Sequence, residues 1–137
     1  MPNFTELVES LKSADASTRN RAAIALMDLR DKAAIEPLIE AIERPANRND
    51  RGTLVYALSE FDCSERFAQL FRWALEGGYE TSIGAISIIH NQRARPACGD
   101  AAICHGWIEA ARDQGGFDED LLDELSALLA VETGRGE

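Results

Sequence analysis

The chain has 137 residues, a length that suits one domain with its own core. Apolar residues make up 45% and aromatic residues 7%; Ala, Leu and Ile dominate, which favours helices over sheet. The net charge is -10, which repels a phosphate backbone and so disfavours a nucleic-acid partner.

Helical signals follow one another along the sequence. The first helix begins near Asn3, with Glu6 three residues on in a capping-box arrangement, and its apolar face is Phe4, Leu7, Val8 and Leu11. The second starts at Asp15 or Ser17, both good N-caps, and runs to about Leu29. Asp31 opens a third that ends near Arg44-Pro45, and a loop over 45–50 separates it from a fourth, Arg51 to Phe61. The fifth runs from about Ser64 to Glu76 and stops at Gly77-Gly78; the sixth covers Tyr79 to His90. A loop over 91–96 ends at Pro96, which bars helix continuation. The seventh helix spans Asp100 to Arg112, with Ile103, Trp107, Ile108 and Ala111 on one face, and Gly115-Gly116 ends it. Asp118 caps the eighth, whose apolar stripe is Leu121, Leu122, Leu125, Leu128 and Leu129; a frayed tail is expected over 132–137.

These helices repeat. A shift of 32 residues carries Arg19 onto Arg51, Ala25-Leu26 onto Ala57-Leu58, Asp28 onto Glu60 and Leu29 onto Phe61. The same shift carries Ile35, Leu38 and Ile39 onto Phe67, Leu70 and Phe71. A further shift of 28, with a shorter turn at Gly77-Gly78, carries Val55, Ala57, Leu58 and Phe61 onto Ile83, Ala85, Ile86 and Ile89.

Residues 15–29, Asp-Ala-Ser-Thr-Arg-Asn-Arg-Ala-Ala-Ile-Ala-Leu-Met-Asp-Leu, continuing through Asp31-Lys32-Ala33-Ala34-Ile35-Glu36-Pro37-Leu38, resemble a HEAT repeat. The type is most similar to the short bacterial repeats of phycobilin-lyase-like proteins. The likeness is strongest over residues 4–45, weaker over 46–90 and faint over 91–137. The family's inter-helix aspartate is present as Asp31 but becomes Cys63 and Asn91; its second-helix arginine is present as Arg19 and Arg51 but becomes Tyr79. The expected fold is therefore all-α, an α-solenoid of about four antiparallel helix pairs in one domain over 1–137. The repeats fall at about 3–30, 31–61 and 62–90, with a divergent pair at about 98–131 that is either a fourth repeat or a cap.

The resemblance implies that the second helix of each pair lines a concave face. Ala22, Ala23, Ala25, Leu26 and Leu29 are then core, and Ile24, Met27 and Asp28 look into the groove. Their counterparts are Tyr56, Ser59 and Glu60, then Gly84, Ser87 and Ile88, while Arg19, Arg51 and Tyr79 line the groove's N-terminal edge. The candidate partner-binding set is thus Arg19, Ile24, Met27, Asp28, Arg51, Tyr56, Glu60, Tyr79 and Ile88. Aromatic and Met anchors inside a charged rim are what protein interfaces use.

Catalytic readings are weaker. His90, Cys98, Cys104 and His105 are zinc-ligand types, but no C-x-x-C occurs and Cys104 and His105, adjacent on a helix, point about 100° apart. Cys63 and Cys104 read as fillers of apolar gaps. The acidic run Asp118-Glu119-Asp120 complements a helix dipole and has no second cluster opposite it. Trp73 and Trp107 read as core or edge anchors, and no Gly-rich phosphate loop is present. No catalytic group, metal or other cofactor is expected.

Acidity is concentrated late in the sequence: residues 1–60 carry a net charge of -2 and residues 61–137 carry -8. The charge either keeps the protein in solution or suits a basic protein partner. No run of 18 apolar residues exists, the N-terminus lacks the pattern of a signal peptide, and three cysteines form a sparse, odd set. The expectation is a cytoplasmic, non-catalytic adaptor that binds a protein, neither nucleic acid nor membrane, on its concave face. Two alternatives are an immunity protein that neutralises a basic toxin and a chromophore-lyase-like or chaperone subunit. A HEAT-like DNA-repair enzyme would need a basic groove, which the acidity of residues 61–137 opposes.

Overall fold

Asn3 starts the first helix by a reciprocal exchange. Its side-chain oxygen accepts from the Glu6 amide at 2.9 Å, and Glu6 accepts from the Asn3 amide at 2.9 Å. The computed structural model describes residues 2–135, and side chains over 2–129. It contains eight α-helices among those residues: α1 (Phe4–Ser10), α2 (Ala16–Leu29), α3 (Ile35–Glu43), α4 (Gly52–Leu58), α5 (Phe67–Glu76), α6 (Tyr79–Gln92), α7 (Asp100–Gln114) and α8 (Glu119–Arg135).

Aspartates set the helix starts. Asp15 caps α2 through the Thr18 amide at 3.0 Å. Asp31 accepts from the Ala33 amide, opening a 3₁₀ turn, Lys32–Ala34, that leads into α3. The equivalent aspartate before α5 is Asp62, one residue earlier than repeat alignment places it, and it accepts from the Ser64 amide. Asp118 accepts from the Asp120 amide before α8, as expected. α4 is shorter than the sequence predicts. A 3₁₀ turn over Pro45–Asn47 precedes it, anchored by buried Asn47 donating to the Ala41 carbonyl at 2.9 Å. α6 runs two residues past the predicted end. Gln92, expected in a loop, instead holds the turn after α4, accepting from the Cys63 amide at 2.6 Å and donating to the Phe61 carbonyl at 2.8 Å. α8 continues through residues 132–135, where a frayed tail is expected; residues 136–137 lie outside the described part.

The order is an antiparallel solenoid of helix pairs. α1 packs on α2, α3 on α4 and α5 on α6, while α4 packs on both α2 and α6, so the second helices stack in one row. One apolar core runs through the stack, from Leu7 and Leu11 through Leu26, Leu54 and Leu58 to Phe71 and Leu122. Between the first helices of successive pairs the seam is polar as well as apolar. The indole N–H of buried Trp73 donates to Glu43 at 2.6 Å, and Arg66 pairs with Glu36 at 2.6 Å.

The last pair departs from this order. α7 continues the first-helix row by packing on α5, with Trp107 against Phe71 and the Arg72 guanidinium 5.4 Å from the Trp107 ring centre. α8 packs on α7 and α5 rather than stacking on α6. The second-helix row therefore ends at α6, and a groove opens between α6 and α8.

Candidate functional site on the second-helix row

Three residues give α4 and α6 an apolar exterior. Tyr56 is 56% exposed, Tyr79 81% and Ile83 47%. Together with Gly52, Ser59, Glu80, Gly84, Ser87 and Asn91 they line a groove of about 400 Å³ between the two helices. Exposed large apolar side chains gathered on one face mark binding surfaces more strongly than single ones do. The other side of α6 borders the second groove, about 550 Å³, where Leu75, Ile83, Ile86, Phe117 and Leu121 form the apolar floor and Glu76, Asp118, Asp120 and Glu124 supply acids. Tyr79 and Ile83 line both grooves, so they form the ridge between them.

Of the residues expected to face a partner, Tyr56 and Tyr79 are fully available. Asp28 is exposed, and with half-buried Ile24 it lines a shallow depression on α2. Met27 is half-buried and packs against the core. Glu60 is exposed but pairs with Arg30 at 3.5 Å, a contact between solvated side chains that contributes little.

Five placements correct the sequence reading. Ile88, expected in the groove, is buried at 2% exposure, and Ile83, aligned with core residue Val55, turns outward. The cause is Gly84. A Cβ built there would lie 3.2 Å from Val55 Cγ1, so the missing side chain lets α4 approach α6 at that point. With Gly84 turned into the helix contact, Ile83, Ser87 and Asn91 form the outward stripe and Ile88 rotates inward. Leu29, expected in the core, is exposed because α2 ends there and Arg30 takes the left-handed conformation, φ 56°, that turns the backbone away. The remaining two are the arginines, neither of which lines the groove's edge as a solvated side chain.

Arg19 is 3% exposed. Its guanidinium donates to the Ser13 carbonyl at 2.9 Å and pairs with Asp50, the residue before Arg51, at 3.7 Å. Arg51 is 8% exposed. The residue that the repeat places opposite it is Gly78, which precedes Tyr79 and has no side chain to offer. Arg51 Nε has no hydrogen-bond partner, as is also true of Arg19 Nε and the buried Asn20 Oδ1. Arg51, unlike Arg19, has no acid or carbonyl among the described residues within reach of the rest of its guanidinium. Asn20 and Arg51 line a polar pocket of about 350 Å³ with Asn49, Asp50, Gly77, Gly78, Glu80 and Thr81. Sequence reasoning flags Arg51 but misses its isolation. The signal is present in the pair Asp50 and Gly78, read one residue before each repeat position.

The nucleophile and metal candidates do not assemble into a site. Burial pushes the thiols of Cys63 and Cys104 up to about 11, so both stay protonated and weakly nucleophilic near neutrality. Among the described residues, no group of three His, Cys, Asp or Glu side chains is placed to hold a metal ion. No helix there is long and apolar enough to cross a membrane.

Comparison with known proteins agrees with the architecture. No curated protein sequence and no solved structure matches the protein. Residues 18–44, spanning most of α2, the turn at Asp31 and α3, match the family model for the PBS lyase HEAT-like repeat. The protein thus carries a HEAT-like repeat over residues 18–44, set in an all-helical stack of antiparallel pairs that is consistent with an α-solenoid.

Proposed function

We propose that this solenoid is a non-catalytic scaffold that binds a protein partner across the α4–α6 face, and that the partner is basic. The observation that carries this reading is the cluster of Tyr56, Tyr79 and Ile83, exposed on adjacent helices around one groove. Tyrosine offers a large rigid contact area at low entropic cost, and such anchors dominate interface energies. The charge of -10 supplies the long-range attraction for a basic partner.

The acids along the α6–α8 groove favour one specific form of this reading, an immunity protein that covers the active surface of a basic toxin. Both forms are tested by capture on the immobilised protein from lysate of the source cells, washed at low and then high salt. The expected result is one stoichiometric basic protein whose association rate falls with salt while the complex persists. If that protein is an enzyme inhibited by the solenoid, the immunity form holds. Capture of an acidic or tetrapyrrole-bearing protein overturns the basic-partner reading, the latter in favour of a chromophore-lyase-like subunit. Capture of nothing counts against the scaffold reading itself.

A further inference from the structure

The pocket around Arg51 has a chemistry that the groove beside it lacks. Its wall holds Arg51, a residue 8% exposed whose buried Nε is unbonded and whose guanidinium has no acidic partner, at the place where the preceding unit neutralises its arginine with Asp50. A buried charge that is neither paired nor fully bonded is costly, and the cost is recovered when an anion arrives. The opposite wall is the start of α6. Its N-cap, Gly78, has no side chain, and no side chain accepts from the first turn. The first turn of this 14-residue helix lines the pocket, and its first N–H groups, at the positive end of the dipole, have no intrahelical acceptor.

We propose that this pocket seats a single carboxylate of a bound peptide, held by Arg51 and the first-turn amides of α6. The unpartnered Asn20 Oδ1 then accepts from an N–H of the same peptide. A carboxylate matches the guanidinium fork and carries one charge. A phosphate dianion is disfavoured because Asp50 and Glu80 also line the pocket. Glu80 lies against the start of α4, its Oε1 2.9 Å from where a Gly52 Cβ would stand. The volume, about 350 Å³, accommodates one small residue. Gly52, Tyr79 and Glu80 line both this pocket and the α4–α6 groove, so a peptide anchored here lays its neighbouring side chains against Tyr56 and Ile83.

This inference rests on the binding role proposed for the same face, yet its test uses small carboxylates and no partner. The full-length protein, labelled with nitrogen-15, is titrated at constant ionic strength and pH 7. The probes are sodium acetate, N-acetyl-leucine (a terminal α-carboxylate), N-acetyl-aspartate amide (a β-carboxylate) and inorganic phosphate. The expected result is saturable movement of the Arg51 Nε–Hε signal and of the amides of Tyr79 to Thr81. Acetate should bind with a dissociation constant of about 1–10 mM, as suits so small a ligand. Binding at least about threefold tighter by one of the two amino-acid probes identifies the source of the carboxylate. Arg51→Met should remove the movement from a folded spectrum, Arg51→Lys should weaken it, and Glu80→Gln should strengthen it. Absence of saturable shifts with all three carboxylates overturns the proposal. So does phosphate binding as tightly as acetate, or retention of the shifts in Arg51→Met. Failure here with a captured partner in hand leaves the scaffold reading standing; carboxylate binding without any captured partner does the reverse.

Discussion

Arg19 and Arg51 hold the same position in successive units, and the surfaces around them differ. At the α2–α4 junction the guanidinium reaches a carbonyl and an acid. At the α4–α6 junction the acid is replaced by Gly78, the guanidinium is left without a partner, and a pocket and an aromatic groove lie beside it. An arginine neutralised at one junction and left without an acid at the next makes the two surfaces chemically unlike while one core runs through both. The second junction holds together by other means: Trp73 with Glu43 on the first-helix side, and the close approach of Val55 to Gly84 on the second.

The largest expected effect breaks the second junction outright. Trp73→Ala removes a fully buried ring and leaves Glu43 without its indole donor. It should cost about 3–5 kcal/mol in urea unfolding, against a negligible change for Trp107→Phe on the half-buried face. Next is the arginine pair. Arg19→Met strands Asp50 and the Ser13 carbonyl, but Asp50 is half exposed, so the loss should be about 1–3 kcal/mol. Arg51→Met takes away a buried charge that has no partner. It should leave stability unchanged or raise it by about 1 kcal/mol. Equal destabilisation by the two changes would erase the distinction between the junctions.

The smallest effect concerns acid and touches helix starts on both sides of the comparison. The Thr18 hydroxyl, then the Thr18 amide, hold the Asp15 carboxyl below its ordinary value of 3.8, and Ser64 does the same for Asp62. A carboxyl lowered in the folded state adds stability above 3.8 that disappears as pH falls through its folded value. The melting temperature of Asp15→Asn should therefore lie slightly below the parent's at pH 7 and converge with it below 3.8. A gap that widened on acidification would reverse the sign.

Much of this architecture is legible in the sequence, for local reasons. Asn3 with Glu6, Asp15 and Asp118 announce helix starts because capping is a matter of three or four neighbouring residues. The exposure of Tyr56 and Tyr79 is legible because large side chains at outward helical positions have nowhere else to go. The exchange of Ile83 for Ile88 is hidden because a glycine, neutral in a pattern of apolar positions, decides how closely two helices approach. Direct repetition also suggests that Arg51 behaves like Arg19. What separates them is a residue from the next unit: Gly78 stands one residue before its repeat position, as Asp50 does, and the stacked structure is what shows that this position meets the arginine of the preceding unit. The departure of α8 from α6 has the same origin, being a question of which helix it packs on rather than of its own stripe.

The central claim is that the partner is bound on the α4–α6 face, and affinity for the captured partner tests it most directly. Tyr56→Ala and Tyr79→Ala should each weaken binding by about tenfold or more, as truncated aromatic anchors do, while Ile103→Ala, on α7 and 51% exposed rather than on that helix's packed face as its sequence pattern suggests, should leave it unchanged. Full affinity in the two tyrosine variants, or a loss confined to Ile103→Ala, would contradict the account.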